Sequence, residues 1–168
     1  PARERRLSGD ELLALIKASS HTRNPHIIPI ILFALETGMR RGEILSLEWQ
    51  NIDFEKRIAF LPLTKNGTSR EVPLSSKAAN ILEEQRINKY PVPFPTNDNA
   101  FRLAWDKLKK RAAITDLKFH DLRHEAISRF FEAGLSLVEV ATISGHKDPK
   151  MLFRYTHLKA ENIANKLV

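Results

Sequence analysis

Between Phe119 and His157 the chain gathers imidazole, guanidinium and phenol side chains, the groups that can hold a phosphodiester and attack it. His120 and Arg123 stand three apart, a spacing that places two side chains on one helical face. His146 follows a glycine and opens the polar turn GHKDPK, and Tyr155 comes nine residues later, with Arg154 and His157 close by. A phenol has a reference pKa of about 10, so near neutrality it keeps its proton. To act as a nucleophile it needs a group that removes that proton and an electrophile made receptive by cations.

The elements that must position these residues can be read from periodicity and caps. Ser8 to Glu11 has capping-box spacing with Leu12, Leu13, Leu15 and Ile16 behind it, which starts a helix. A second helix opens at Asn24-Pro25, tolerates Pro29 in its first turn and stops at Gly38. Its run Ile27 to Leu35 is apolar on nearly every side, as expected of a helix central to the core. A shorter helix is expected over Arg41–Leu47. Then the texture becomes β-branched and aromatic: strands are expected at Trp49–Phe54, Arg57–Leu63 and Arg70–Leu74, the last two joined by an Asn66-Gly67 hairpin turn. Ser75 caps the next helix. Asn88 to Asn99, with Pro91, Pro93 and Pro95, reads as an irregular loop, and a basic helix follows over Asn99–Ala113. The expected architecture is mainly α, with one small three-stranded antiparallel sheet.

Composition narrows the function classes. The chain has 168 residues, a single domain by size, and a net charge of +7, which favours a polyanion partner. No apolar run reaches the roughly 18 residues of a membrane span. Cysteine is absent, so thiolate metal sites and disulfides are excluded. The opening PARERRLSGDE has no apolar core and is no signal peptide, and a start without Met fits a piece of a longer protein.

Four stretches in order resemble the boxes of the tyrosine recombinase (phage integrase) family, catalytic domain. TGMRRGEILSL (Thr37 to Leu47) is similar to its first arginine box and LTKNGTSREVPL (Leu63 to Leu74) to its lysine-bearing hairpin. HDLRHEAIS (His120 to Ser128) resembles its His-x-x-Arg box, and SGHKDPKMLFRYTH (Ser144 to His157) its Gly-His and nucleophile boxes. Ser144 departs from the apolar residue usual before Gly-His, a matter of packing. The resemblance implies catalytic roles for Arg40, Lys65, His120, Arg123 and His146, with Tyr155 as the nucleophile and Glu43 orienting an arginine. Arg40, Arg123 and His146 would hold the phosphate oxygens, Lys65 would protonate the leaving 5′ oxygen, and His120 would be the acid/base helping Tyr155. It further implies cleavage and rejoining of DNA through a 3′-phosphotyrosine, without cofactor, metal or ATP. Its partners would be double-stranded DNA, three further protomers on two duplexes, and accessory DNA-bending proteins. The setting would be a bacterial or phage-encoded protein at the nucleoid, lacking here the separate N-terminal DNA-clamping domain.

Blander readings stand beside these. Arg40 could merely cap a helix or pair with Glu43; Asp121 reads as a helix cap. His120 and His124, at i and i+4, could suggest zinc, but no third ligand is evident. The helix carrying Arg102, Lys107, Lys109, Lys110 and Arg111 against Asp106 alone is read as phosphate-contacting, with Arg41, Lys147 and Arg154 as further DNA contacts. Two rivals remain: a non-catalytic helix–turn–helix DNA binder over Leu135–His157, and a type IB topoisomerase-like enzyme.

Overall fold

The computed structural model describes residues 3–63 and 67–167, so Lys65 and the Asn66 position of the expected turn lie outside the described residues. Helix α1 (Gly9–Ala18) begins with the capping box read from the sequence: Ser8 Oγ accepts the Glu11 N–H at 3.1 Å and Glu11 Oε1 accepts the Ser8 N–H at 3.1 Å. Helix α2 (Ile27–Thr37) carries Pro29 at its third position, where a missing N–H costs no intrahelical bond. Gly38 ends it with φ 68°, a left-handed conformation that glycine adopts without Cβ penalty.

Helix α3 (Arg41–Leu45) is two residues shorter than expected. The sheet is antiparallel in the order β1 (Ile52–Asp53), β2 (Ile58–Leu61), β3 (Arg70–Pro73). Ala59 pairs with both Ile52 and Val72, and Ala59, Leu61 and Val72 point into the core while Phe60 and Glu71 point out. The first expected strand shrinks because Trp49–Asn51 winds into a 3-10 turn, with Trp49 Nε1–H donating to the Tyr90 carbonyl at 2.8 Å.

Helices α4 (Ser76–Ile87) and α5 (Asp98–Arg111) are capped by Ser75 Oγ and Asn97 Oδ1, which accept backbone N–H groups at 3.1 and 2.7 Å. The proline-rich loop therefore ends one residue before Asp98, earlier than its expected limit at Asn99. Helix α6 (His120–Glu132), α7 (Leu137–Ser144), a 3-10 helix (Pro149–Tyr155) and α8 (Ala160–Ala164) complete the order.

Helix α2 is the axis of the core. Ile27, Ile30, Ile31, Phe33, Ala34 and Leu35 are all buried, and α2 packs against α4 and α6. Each buried Ile, Leu or Phe is worth about 1.5–3 kcal/mol, enough for this one helix to set where α6 sits. A second small cluster, Ile127, Val140 and Leu152, hangs the Pro149–Tyr155 turn from α6 and α7.

The N-terminal segment straps α6 from outside. Arg3 pairs with Asp121 at 2.7 Å and Asp116 at 3.1 Å; Arg6 pairs with Glu125 and Glu132 at 2.8 Å each. Asp121 also accepts the Lys118 N–H at 2.8 Å, so its cap-like role is joined by an ion pair. Glu125 is 2% exposed and further accepts the Leu7 N–H at 2.9 Å and Arg129 at 2.8 Å. Burial alone would raise its pKa; Arg6, the Leu7 N–H and Arg129 outweigh that and bring it down to about 2. A carboxylate depressed in the fold contributes stability that is present above the unfolded value near 4.5 and is lost as pH falls toward 2. Two outcomes follow for denaturant unfolding. Glu125→Gln destabilises the domain by roughly 2–3 kcal/mol at pH 7, and between pH 4.5 and 2 the variant loses less stability than the native chain, so parallel losses would refute this account.

Candidate active site

Arg40 stands between the end of α2 and the start of α3 in extended conformation (φ −73°, ψ 152°), placed by the left-handed Gly38 two residues before it. Its N–H is accepted by Glu43 Oε1 at 2.9 Å, the reach-back bond of a helix start. Its Nη1 is buried and has no hydrogen-bond partner among the described residues; Glu43 Oε2 lies 3.6 Å away, an ion-pair distance too long for a good hydrogen bond.

Glu43 is occupied elsewhere. Arg70 of β3 grips it with two bonds, Nη1 to Oε2 at 2.6 Å and Nη2 to Oε1 at 2.9 Å, and Arg70 Nε donates to the Ile143 carbonyl at 2.9 Å. Burial pushes the Glu43 carboxyl up, but Arg70, the Arg40 N–H and the Arg40 charge hold it below its ordinary value. The arginine side chain hydrogen-bonded to Glu43 is thus Arg70, which sequence reasoning missed. Between Ser69 and Glu71 it carries no sequence signal that sets it apart.

Arg123 of α6 is 3% exposed and donates to the Gly38 carbonyl at 2.6 Å and the Ser144 carbonyl at 2.7 Å. Those bonds tie the ends of α2 and α7 to α6. They are bonds to neutral carbonyls. Burial, reinforced by Arg40 and Arg70, pushes the Arg123 pKa down to about 9. His146, beyond the left-handed Gly145 (φ 78°), is driven to about 4 by burial and then by Arg123, Arg40 and Arg70. The Ser144 hydroxyl lies 2.6 Å from His146 Nδ1, so the residue expected to serve packing has a polar task instead.

His120 and Arg40 open on one cavity of about 690 Å³, lined also by Arg41, Glu43, Lys118 and Leu63. Leu63 is the last described residue before the stretch holding Lys65. Tyr155 borders a second, smaller cavity with Arg3, Arg6, His124, Ser128 and Arg154. Its hydroxyl is hydrogen-bonded to His124 Nδ1, and its ring lies near-parallel to those of His124 and Phe131 with centroids 6.2 and 6.3 Å away. Burial raises the Tyr155 pKa while Arg154 and Arg123 oppose it. Burial, then His120 and Arg154, lower His124 to about 4. His124 is the second residue the sequence reading passed over, having been weighed only as a zinc ligand; among the described residues no group of three or more His, Cys, Asp or Glu is placed to share an ion.

The residues read as DNA contacts divide into two sets. Arg41 is paired with Asp98 at 2.8 Å, Lys109 donates to the Leu117 carbonyl at 2.8 Å, and Arg154 donates to the Arg3 carbonyl at 2.6 Å. Arg102, Lys107, Lys110 and Lys147 are exposed. The helix–turn–helix reading of Leu135–His157 meets a geometric obstacle. Its second element is a seven-residue 3-10 helix anchored by buried Leu152, with no room to project as a recognition helix.

Comparison with known proteins shows the family and the fold. The chain is 48% identical over 168 residues to the shufflon-specific DNA recombinase of Escherichia coli, covering 98% of this chain and 43% of that relative. Its fold superposes on the catalytic domain of bacteriophage HP1 integrase with a TM-score of 0.76 at 24% identity, covering 98% of this chain and 94% of the other. It also superposes on the Tn1549 transposon integrase, solved in complex with circular intermediate DNA, with a TM-score of 0.77 at 17% identity, over 100% and 66% of the two chains. With the phage integrase family model matching residues 5–162, the chain belongs to the phage integrase family.

Proposed function

We propose that this chain is the catalytic domain of a site-specific DNA recombinase that cuts and rejoins strands through Tyr155. The observation that carries the reading is the charge imbalance around Glu43. Arg40, Arg70 and Arg123 surround one carboxylate, Arg40 Nη1 is buried without a hydrogen-bond partner among the described residues, and Arg123 is buried on neutral carbonyls. A buried cation without a bonded counter-charge is costly, and an anionic phosphodiester relieves it. Guanidinium forks match the paired oxygens of such a group in a way an ammonium does not.

The Tyr155 phenol oxygen attacks phosphorus, a 3′-phosphotyrosyl bond forms, and the bond to the 5′ oxygen breaks. That oxygen leaves as a hydroxyl after taking a proton from Lys65. Arg40, Arg123 and His146 hold the non-bridging oxygens as charge builds on them. The Ser144 hydroxyl engages His146 Nδ1, so Nε2 is the ring nitrogen that meets phosphate on this reading. On the same reading His120, which lines the Arg40 cavity, acts as an acid/base in the reaction. The ester is conserved in the covalent intermediate, so rejoining needs no ATP, and fixed cations do the work a metal would otherwise do.

The partner is double-stranded DNA, with the exposed Arg102, Lys107, Lys110 and Lys147 meeting its phosphates. Assembly as four protomers on two duplexes, help from DNA-bending proteins and action at the nucleoid of a bacterial cell complete the reading. No helix among the described residues is long and apolar enough to cross a membrane.

The test uses the full-length protein and a nicked duplex carrying the repeats that flank its own gene. A protein–DNA adduct that survives denaturation is expected, unaffected by a chelator and absent in Tyr155→Phe. Arg40→Lys is expected to slow adduct formation by about 10²–10³-fold. An adduct that persists in Tyr155→Phe, or none from the native protein, defeats the proposal.

A further inference from the structure

Resting on that reading, the geometry points to His124 as the group that receives the Tyr155 proton, a catalytic residue distinct from His120. Three observations converge on it. The Tyr155 hydroxyl is hydrogen-bonded to His124 Nδ1, so this imidazole touches the reacting oxygen itself. Both rings are held: Tyr155 lies near-parallel to His124 and Phe131, and the His120 ring meets that of His124 edge-on at 4.8 Å. The third observation settles the direction of the bond. Arg154 Nη2 lies 3.3 Å from the same Nδ1, and a guanidinium can only donate. A hydrogen on Nδ1 would face that donor, so Nδ1 carries the lone pair, Nε2 the hydrogen, and the Tyr155 hydroxyl is the donor. The phenol oxygen, which also meets Arg154, then keeps a lone pair for phosphorus.

The step balances. The Tyr155 O–H bond breaks with its proton passing to Nδ1, the phenol oxygen bonds to phosphorus, and the 5′ oxygen leaves with a proton from Lys65. In rejoining, the imidazolium returns its proton to the tyrosine as a 5′-hydroxyl displaces it. The groups facing His124 fit this traffic. His120, Arg123, Arg154 and His146 bring positive charge or the capacity for it, while Asp121 opposes them, itself paired with Arg3. In the resting site they keep the imidazole neutral and able to accept. A phosphodiester drawn in by Arg40 and Arg123 offsets that positive charge and makes the protonated imidazole easier to form.

Arg154 has a part here that the sequence reading gave to DNA. Its guanidinium lies over the Tyr155 ring at 4.8 Å and donates to the Arg3 carbonyl, so it ties the tyrosine to the N-terminal strap. It is a positioning residue for the His124–Tyr155 pair.

Two measurements decide the matter. In the DNA-free chain, nitrogen-15 NMR of His124 is expected to show Nδ1 unprotonated and Nε2 protonated; hydrogen on Nδ1 overturns the proposal, and this needs no variant. In the full-length protein with the nicked duplex, His124→Asn keeps an acceptor near the Nδ1 position but cannot take the proton. Its single-turnover adduct formation at pH 7 is expected to fall by about 10²–10⁴-fold. Its rate should then climb about tenfold per pH unit toward the phenol's own ionisation, where the native rate has levelled off. A His124→Asn protein matching the native one at every pH shows that His124 only holds the tyrosine, and the proposal falls. A native protein that forms no adduct is a different result, since it removes the recombinase reading while the NMR measurement still judges the hydrogen bond.

Discussion

Cations of like charge do not crowd together without something to hold them, and here that something is Glu43. Its two oxygens take both ends of the Arg70 fork, its Oε1 takes the Arg40 N–H, and its charge stands 3.6 Å from Arg40 Nη1. One carboxylate therefore links the start of α3 to β3. Through Arg70 Nε it reaches the Ile143 carbonyl at the end of α7, just before the Gly-His turn. Three segments distant in sequence meet at a single buried anion, and the net charge left over is positive. That surplus is the feature on which the proposed binding of phosphate rests.

Close packing leaves little slack around this junction. A Cβ on Gly145 would approach Arg70 Cδ at 3.0 Å, and at φ 78° a side chain there is strained in any case. The same turn that aims His146 thus lets Arg70 pass beneath it. Arg123 adds the complementary tie, bonding the carbonyls of Gly38 and Ser144 from α6. Each bond uses a backbone group that a helix end leaves unsatisfied. Helix termini orient the cations, and the cations in turn satisfy the termini.

The tyrosine is governed by a separate set of contacts. Tyr155 rides on a 3-10 turn hung from buried Leu152, with its ring against Phe131 and its hydroxyl on His124. Arg154 and the N-terminal strap close over it. The strap also binds Asp121 and Glu125 on the flanks of α6, so the helix carrying His120, Arg123 and His124 is fixed by α2 on its apolar side and by arginines on its polar one. Arg123 and His124 share this helix, while Arg40 and Tyr155, on other segments, border different cavities.

Much of this was legible in the chain itself. Capping chemistry at Ser8, Ser75 and Gly38, the apolar run of α2, and the β-branched texture of the sheet are local properties, and local signals survive folding. Arg40, His120, Arg123, His146 and Tyr155 could be singled out in the chain because the stretches that hold them resemble one family's boxes in order. The shortening of the first strand could not, because the bond from Trp49 to the Tyr90 carbonyl joins residues far apart in sequence. Nor could Arg70, which looks like any strand arginine until Glu43 arrives from 27 residues away. His124 was hidden for the same reason: one position from Arg123, it acquires meaning only when Tyr155 is folded against it. Residue type determines which chemistry is available to a side chain; the tertiary structure alone decides which partner it meets, because hydrogen bonds and charge pairs act over a few ångströms and only folding brings those groups within reach.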